Sequence, residues 1–337
     1  MKKVIYLIGL LAVMGCKGNG NDSQSTKDEL CEAPSFCADS AYEYVAKQCS
    51  FGPRVMNSAA HDSCGDYIAN TFTRMGAKVY NQYADSKLYD GTPVKMRNIV
   101  ASVNPDADIR IIISGHWDSR PWADHDEDET KYHTPIDGAN DGGSSIGIML
   151  EMARILQADM NEKGDSAMLR RKGIGVDFIC WDAEDCGTPE FDANHDNDES
   201  NASTWCLGSQ YWAGTRHIEG YTARYGINLD MVGGNNTVFY KERYSMQYAP
   251  TLVDKVWSIA HSLGYSNYFN NEECGYITDD HVQVNLGGIP CIDIIGADNE
   301  GIGFPETWHT VNDNIQNINK NTLKTVGQTM LTVLWNE

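Results

Sequence analysis

Positive charge is scarce in this chain: 26 Lys and Arg stand against 47 Asp and Glu over 337 residues, a formal net charge of -21. So acidic a surface repels polyanions at a distance, which excludes nucleic acid as a partner and anionic lipid headgroups as a docking surface. Paired CxxC motifs are absent, which disfavours a thiolate zinc site. Past the first residues no apolar run is long enough to span a bilayer, and no internal repeat occurs.

Hydrophobic residues make up 41% of the chain, enough to bury a full core, and one α/β domain over residues 38–337 is the simplest organisation for that length. At the N-terminus Lys2 and Lys3 precede an apolar run ending at Met14, too short for a membrane span and suited to a secretory signal. Ala12, Val13, Met14, Gly15 and Cys16 resemble a bacterial lipobox. Residues 1–15 are therefore expected to be a removed signal peptide and Cys16 the lipid-bearing residue. Residues 16–37 are expected to be a flexible tether, and the protein an exported lipoprotein on the periplasmic side of a bacterial membrane. The nine cysteines besides Cys16 would sit in an oxidising compartment; nearness favours Cys31 with Cys37 and Cys186 with Cys206, with the connectivity open.

Apolar periodicity predicts helices near 38–48, 61–76, 144–156, 208–215, 249–263 and 319–334. Short apolar runs predict strands near 78–83, 98–103, 109–114, 176–181, 226–230 and 290–295. Two of those strands carry a lone charge, Arg110 and Asp177. Strands alternating with helices argue for a three-layer α/β/α fold around a mixed, mostly parallel sheet covered on both faces. The long acidic stretch 121–143 suits an active-site loop, and a second acidic loop runs from 188 to 204.

The strand 176–181 stops at Asp182, Glu184 and Asp185 in GVDFICWDAEDCG. In an open α/β sheet ligands sit outside the carboxyl ends of the strands, so acids there can reach a cation. The adjacent pair suggests a division of labour, one carboxylate holding a metal and its neighbour moving protons. The same acids also suit the start of a helix. Further donors stand in SGHWDS (His116, Asp118), GANDGGSS (Asp141), NLDMVG (Asp230) and ETWHTVNDN (His309). Histidine with carboxylates suits zinc and an open coordination position. Taken singly, each histidine reads as well as an ordinary loop residue.

In this order the motifs resemble the zinc aminopeptidase superfamily and, within it, the glutaminyl cyclases (glutaminyl-peptide cyclotransferases), from about residue 38 to the C-terminus. The resemblance implies one zinc held by Asp141, Asp185 and His309, with Glu184 as the proton-transferring carboxylate. Aminopeptidases of the superfamily hold a second zinc at positions matching His116 and Asp230, bridged by Asp141, with Asp118 orienting the histidine. His116 and Asp118 are accordingly expected to be remnants of a second metal position. Asp279 and Asp280 in ITDDHV match an acidic pair of the cyclases, the first of which joins Asp230 and Glu184 in one network. Trp205 and Trp308 match aromatic walls around the substrate; the other readings are packing or a loop anchor for the tryptophans and a solvated turn for Asp279. Asp185 departs from the vertebrate cyclases, which have Glu there. The activity implied is zinc-assisted cyclisation of the N-terminal glutamine of peptides and exported proteins to pyroglutamate, with release of ammonia. A zinc aminopeptidase, in which Glu184 activates water, is the alternative; a non-catalytic zinc-binding lipoprotein is a third reading, which the intact Glu184 argues against. Membrane contact is expected only through the N-terminal lipid.

Overall fold

Short apolar runs form the middle of the molecule. In the computed structural model, which describes residues 30–193, 195, 201–298 and 303–337, eight strands make one sheet. They are β1 (Lys78–Lys87), β2 (Pro93–Val103), β3 (Ile109–His116), β4 (Ile174–Trp181), β5 (Tyr225–Asp230), β6 (Val238–Lys241), β7 (Phe269–Glu273) and β8 (Cys291–Ala297). Their order is β1-β2-β4-β3-β5-β8-β6-β7. The central set β4-β3-β5-β8 is parallel; β1 and β2 join one side antiparallel, and β6 joins β8 antiparallel on the other. The sheet is thus mixed and mostly parallel, as expected.

The helices are α1 (Ala38–Cys49), α2 (Ala59–Met75), α3 (Gly143–Lys163), α4 (Met168–Lys172), α5 (Leu207–Gly214), α6 (Arg243–Tyr248), α7 (Pro250–Ser262), α8 (Asp280–Leu286) and α9 (Lys320–Trp335). Successive strand residues face opposite sides of the sheet. Ile111, Ile113, Val176, Phe178, Ile227 and Leu229 join the core under α1, α2, α3, α7 and α9. Val100, Ile112, Ile179 and Trp181 pack on the other side against Trp212 of α5 and Val284 of α8. Each fully buried Ile or Leu stabilises the fold by about 1.5–3 kcal/mol, which is why both faces are covered. Among the described residues no helix is long and apolar enough to cross a membrane.

One boundary and five elements differ from expectation. The signal peptide and residues 16–29 lie outside the described residues, but the compact unit already begins at Cys31, inside the expected tether. Phe36 is buried, its ring lies where a Cβ on Gly327 of α9 would fall at 2.4 Å, and its N–H donates to Gln328 Oε1 at 2.8 Å. Strands β6 and β7 and helices α4, α6 and α8 were not expected. β7 (FNNEE) has no apolar alternation and is largely exposed; the short helices have too few turns to show a period.

The two lone charges in apolar strands find each other. Arg110 Nε donates to Asp177 Oδ2 at 2.9 Å, and Ser102 and Tyr221 donate hydroxyls to the same carboxylate. The guanidinium lies across Gly175, where a Cβ would fall 1.7 Å from Arg110 Nη1. Asp177→Ala leaves a buried guanidinium without its partner and is expected to destabilise the protein by about 3–5 kcal/mol. Urea unfolding measures this; a loss below about 1 kcal/mol, typical of an exposed pair, contradicts it.

Candidate active site

Strands β4, β3 and β5 end side by side at Trp181, His116 and Asp230, so each delivers a polar residue to the same edge. After β4 the chain turns sharply, with Ala183 at φ 53. The buried Asp118 carboxylate accepts the N–H groups of Glu184 and Asp185, both at 3.1 Å. Asp182 takes another part: its Oδ1 meets His61 Nε2 at 2.8 Å and its Oδ2 accepts the Arg97 N–H at 2.6 Å. Of the acids closing β4, Asp182 is therefore an anchor, and no helix starts at Glu184 or Asp185. Positive φ at non-glycine residues points to the same place. Among the described residues three of these are asparagines, which tolerate it; the others, Ala183, Cys206, Met231 and His309, all surround this site.

The expected zinc ligands converge. His309 Nε2 lies 3.0 Å from Asp185 Oδ1 and 3.6 Å from Asp141 Oδ2. Tetrahedral bonds of about 2.0–2.1 Å hold donor atoms roughly 3.3 Å apart, so the spacing fits zinc. The donors fit as well: Asp185 Oδ2 is buried with no hydrogen-bond partner, and burial, with Arg120 beside it, holds His309 well below the usual imidazole range, leaving a neutral ligand. A second group shares Asp141, whose Oδ1 is 2.8 Å from His116 Nε2; Asp230 Oδ1 is 3.3 Å from the same nitrogen. The second triad is His116, Asp141 and Asp230, while Asp118 stands behind it, 3.5 Å from His116 Nδ1, with both oxygens engaged by the turn.

Glu184 faces a cavity of about 380 Å³. Burial holds its carboxyl well above the usual range; His116 opposes this, and the charges of Asp279, Asp118 and Asp230 add to it. Burial and Asp141 push Asp230 up to about 7. Asp279 is buried rather than in a solvated turn, and it caps α8 through the Asp280 N–H. Asn228 Nδ2 bridges Asp279 Oδ2 at 3.0 Å and Asp293 Oδ1 at 3.4 Å. Asp280 turns away and accepts from Ser209 Oγ. Behind them Glu242 accepts the N–H groups of Tyr244 and Ser245, both at 2.7 Å, and its Oε2 lies 3.1 Å from His281 Nε2.

Both tryptophans line the cavity and flank His309. Trp308 stacks on its ring at 3.9 Å, and Trp205 lies parallel to it at 6.1 Å. Gly187 admits Trp205, since a Cβ there would fall 2.1 Å from the indole. Sequence reasoning missed three supports. Arg120, fully buried, pairs with Asp124, donates to the carbonyls of Asp185 and Gly187 at 3.2 Å, and lies 4.5 Å over Trp205. Asp124 Oδ1 is 3.5 Å from His309 Nδ1. Asp313 accepts the N–H groups of Asn140 at 2.7 Å and Asp141 at 3.0 Å, fixing the shared ligand. A basic residue four positions before an acid, inside an otherwise acidic loop, was the available signal for the first pair. The expected disulfides are absent: among the described residues every cysteine is a free thiol. Cys206 Sγ instead meets Glu184 Oε1 at 3.1 Å, and Cys186 Sγ faces the Ala183 carbonyl.

A parallel-centred sheet with paired acid–histidine triads at its carboxyl edge defines a metallopeptidase-like class, and this chain belongs to peptidase family M28, whose family model matches residues 98–334. Within that family the likeness narrows to glutaminyl cyclases. The chain is similar to the solved Bacteroides thetaiotaomicron glutaminyl cyclase bound to N-acetylhistamine, at 50% identity and TM-score 0.84, covering 91% of this chain and 100% of that one. A Zn-dependent exopeptidase from Parabacteroides distasonis is similar at 49% identity and TM-score 0.82, covering 90% and 100%. Glutaminyl-peptide cyclotransferase of Boiga irregularis is 24% identical over 250 residues, 68% of this chain; the chain spans only 62% of that relative.

One pH dependence follows from the support behind Asp279. Burial raises the Glu242 carboxyl, but His281 and the two backbone N–H groups outweigh it, so its folded pKa lies below the unfolded one. Its contribution is full above the unfolded value of about 4.3 and disappears as pH falls through the folded value. Glu242→Gln should therefore lower stability at neutral pH and flatten the acid slope. Urea midpoints between about pH 3 and 6 test this, and equal slopes for both proteins refute it.

Proposed function

We propose that this chain is a glutaminyl cyclase, closing the N-terminal glutamine of peptides and exported proteins to pyroglutamate with release of ammonia. The observation that carries the reading is Glu184: a buried, high-pKa carboxylate beside the Asp141–Asp185–His309 triad, in a cavity walled by Trp205 and Trp308. Asp141, Asp185 and His309 would hold one zinc ion. When bound there, zinc supplies Lewis acidity toward an amide carbonyl.

The chain's own residues do the rest. Trp205 and Trp308 hold the glutamine side chain curled and exclude water, so that amine and carboxamide carbon meet at high effective concentration. Glu184 accepts a proton from the α-amine as nitrogen attacks the γ-carbon. It returns that proton to the amide nitrogen as the C–N bond breaks and ammonia leaves. A carboxyl of raised pKa suits both halves of this transfer, because it takes a proton and gives it back at neutral pH. Asp230 and Asp279 share charge with Glu184 and keep the proton near it.

The second triad favours a different reading. His116, Asp141 and Asp230 are spaced for another ion, as in a peptidase with two metals in which Glu184 activates water. Incubating purified protein with a Gln-initiated peptide and weighing the product separates the two. Loss of ammonia alone is expected; loss of the first residue sinks the cyclase reading. Glu184→Gln should lower kcat by about 10²–10⁴ while one zinc per chain remains bound, and retained turnover rejects its role.

The N-terminal lipobox-like sequence supports export and a lipid on Cys16 as part of the same proposal. Palmitate labelling in cells is expected to depend on Cys16. Equal labelling of Cys16→Ser overturns the anchor.

A further inference from the structure

We propose that Cys206 is a positioning residue for this reaction, its thiol donating to Glu184 Oε1 and fixing the carboxylate that carries the proton. The inference rests on the reading of Glu184 given above. Cys206 grips that residue twice. Its thiol lies 3.1 Å from Glu184 Oε1, and its backbone N–H donates to the Glu184 carbonyl at 3.0 Å. Side chain and main chain of the proton carrier are thus held by one neighbour.

The geometry around Cys206 is built for this contact. The residue sits at φ 54, a left-handed conformation that L side chains rarely adopt, and its side chain is buried. Leu207 N–H donates to the Ala183 carbonyl and Gly208 N–H to the Asp182 carbonyl, both at 3.0 Å, so the start of α5 is stitched residue by residue to the turn after β4. Only glycine permits that approach at 208, since a Cβ would fall 2.3 Å from the Asp182 carbonyl oxygen. Ser209 Oγ, whose proton goes to Asp280, also lies 3.1 Å from the Cys206 carbonyl. The thiol has no disulfide partner to explain its place.

A thiol suits this task because it is a weak donor. It orients one carboxylate oxygen without competing strongly for the lone pair that the substrate amine needs. A strong donor such as a lysine ammonium would hold the carboxylate more firmly and make it a poorer acceptor. The sulfur also fills the space behind Glu184 that an alanine would leave open to movement of the carboxylate.

The test compares Cys206→Ala with Cys206→Ser in the zinc-loaded, full-length protein. Misplacing a reacting group by about 1 Å costs up to about 10²-fold in rate, and loss of this contact is expected to lower kcat roughly 10-fold. KM for a Gln-initiated peptide, zinc content and melting temperature should stay near wild type. Cys206→Ser, which keeps a donor, should recover most of kcat. A Cys206→Ala kcat within about twofold of wild type, or equal losses in both variants, overturns the proposal. Should Cys206→Ala not fold, infrared spectroscopy decides it: the S–H stretch of Cys206, isolated by subtracting Cys206→Ser from wild type, must shift in Glu184→Gln. An unshifted band refutes the contact whatever the activity. Wild-type protein that releases no ammonia from any Gln-initiated peptide fails at the proposed function instead, so the two failures are distinguishable.

Discussion

The carboxylate of Asp118 is the point on which the site depends. By accepting the N–H groups of two consecutive residues, it fixes the turn after β4 so that neighbouring acids face different tasks. Asp185 is sent to His309 and Asp141, and Glu184 to the cavity, Cys206 and Asp279. Two adjacent carboxylates free to move would both seek the same cation. Asp118 reaches His116 Nδ1 as well, tying the end of β3 to the turn that follows β4. The register of the parallel pair, His116 against Trp181, sets the two chain ends level and makes this one-residue bridge possible.

Holding so many acids together is costly, and the surroundings show how the cost is met. Asp118, Asp141, Asp182, Asp185, Asp230, Asp279 and Asp293 are all buried at one edge of the sheet. Isolated buried carboxylates are expensive, so each must find N–H donors, a counter-charge, a proton or a metal. Backbone N–H groups serve Asp118, Asp182 and Asp313, and Arg120 serves Asp124 and the Asp185 carbonyl. Arg54, fully buried, donates to the carbonyls of Trp117 and Gly138 and braces the loop that presents Asp141. Burial raises the pKa of Glu184 and of Asp230, so both take up a proton more readily than an exposed carboxylate does. Asp141 and Asp185, with His309 between them, have the spacing and donor types that a divalent cation would take.

The sequence made the central strands and the acids at their ends legible because both are local: a short apolar run and the polar residue that stops it. It also showed the ligands as a set, through motifs in a fixed order. What it hid depends on distance in space. Arg110 and Asp177 read as two unrelated flaws in apolar strands until register brought them together. Cys186 and Cys206 read as a disulfide pair from nearness along the chain, but α5 aims the second thiol at Glu184 instead. Arg120, Asp124 and Asp313 lay in loops with no period, where charge usually means solvent, yet all are buried. The edge strand β7 escaped because edge position relaxes the apolar pattern, and β6 because four residues are too few to show one.

Cyclase and peptidase chemistry need the same carboxylate beside the same kind of metal position, so the ligands cannot decide between them. The decision lies with the nucleophile that Glu184 meets first. In an open cleft water is abundant and hydrolysis wins. Here the indole of Trp308 stacks on His309 at 3.9 Å, that of Trp205 lies parallel to it at 6.1 Å, and Phe304 meets Trp308 at 4.5 Å, so aromatic rings line the cavity beside the metal position. A glutamine side chain folded into that cavity displaces water and carries its own amine to its own carboxamide. Effective concentrations of such intramolecular nucleophiles reach about 10⁵ M and above, far beyond the ~55 M of water. Under the proposed function, this aromatic lining over a frame shared with peptidases would favour ring closure without a new ligand or a new base.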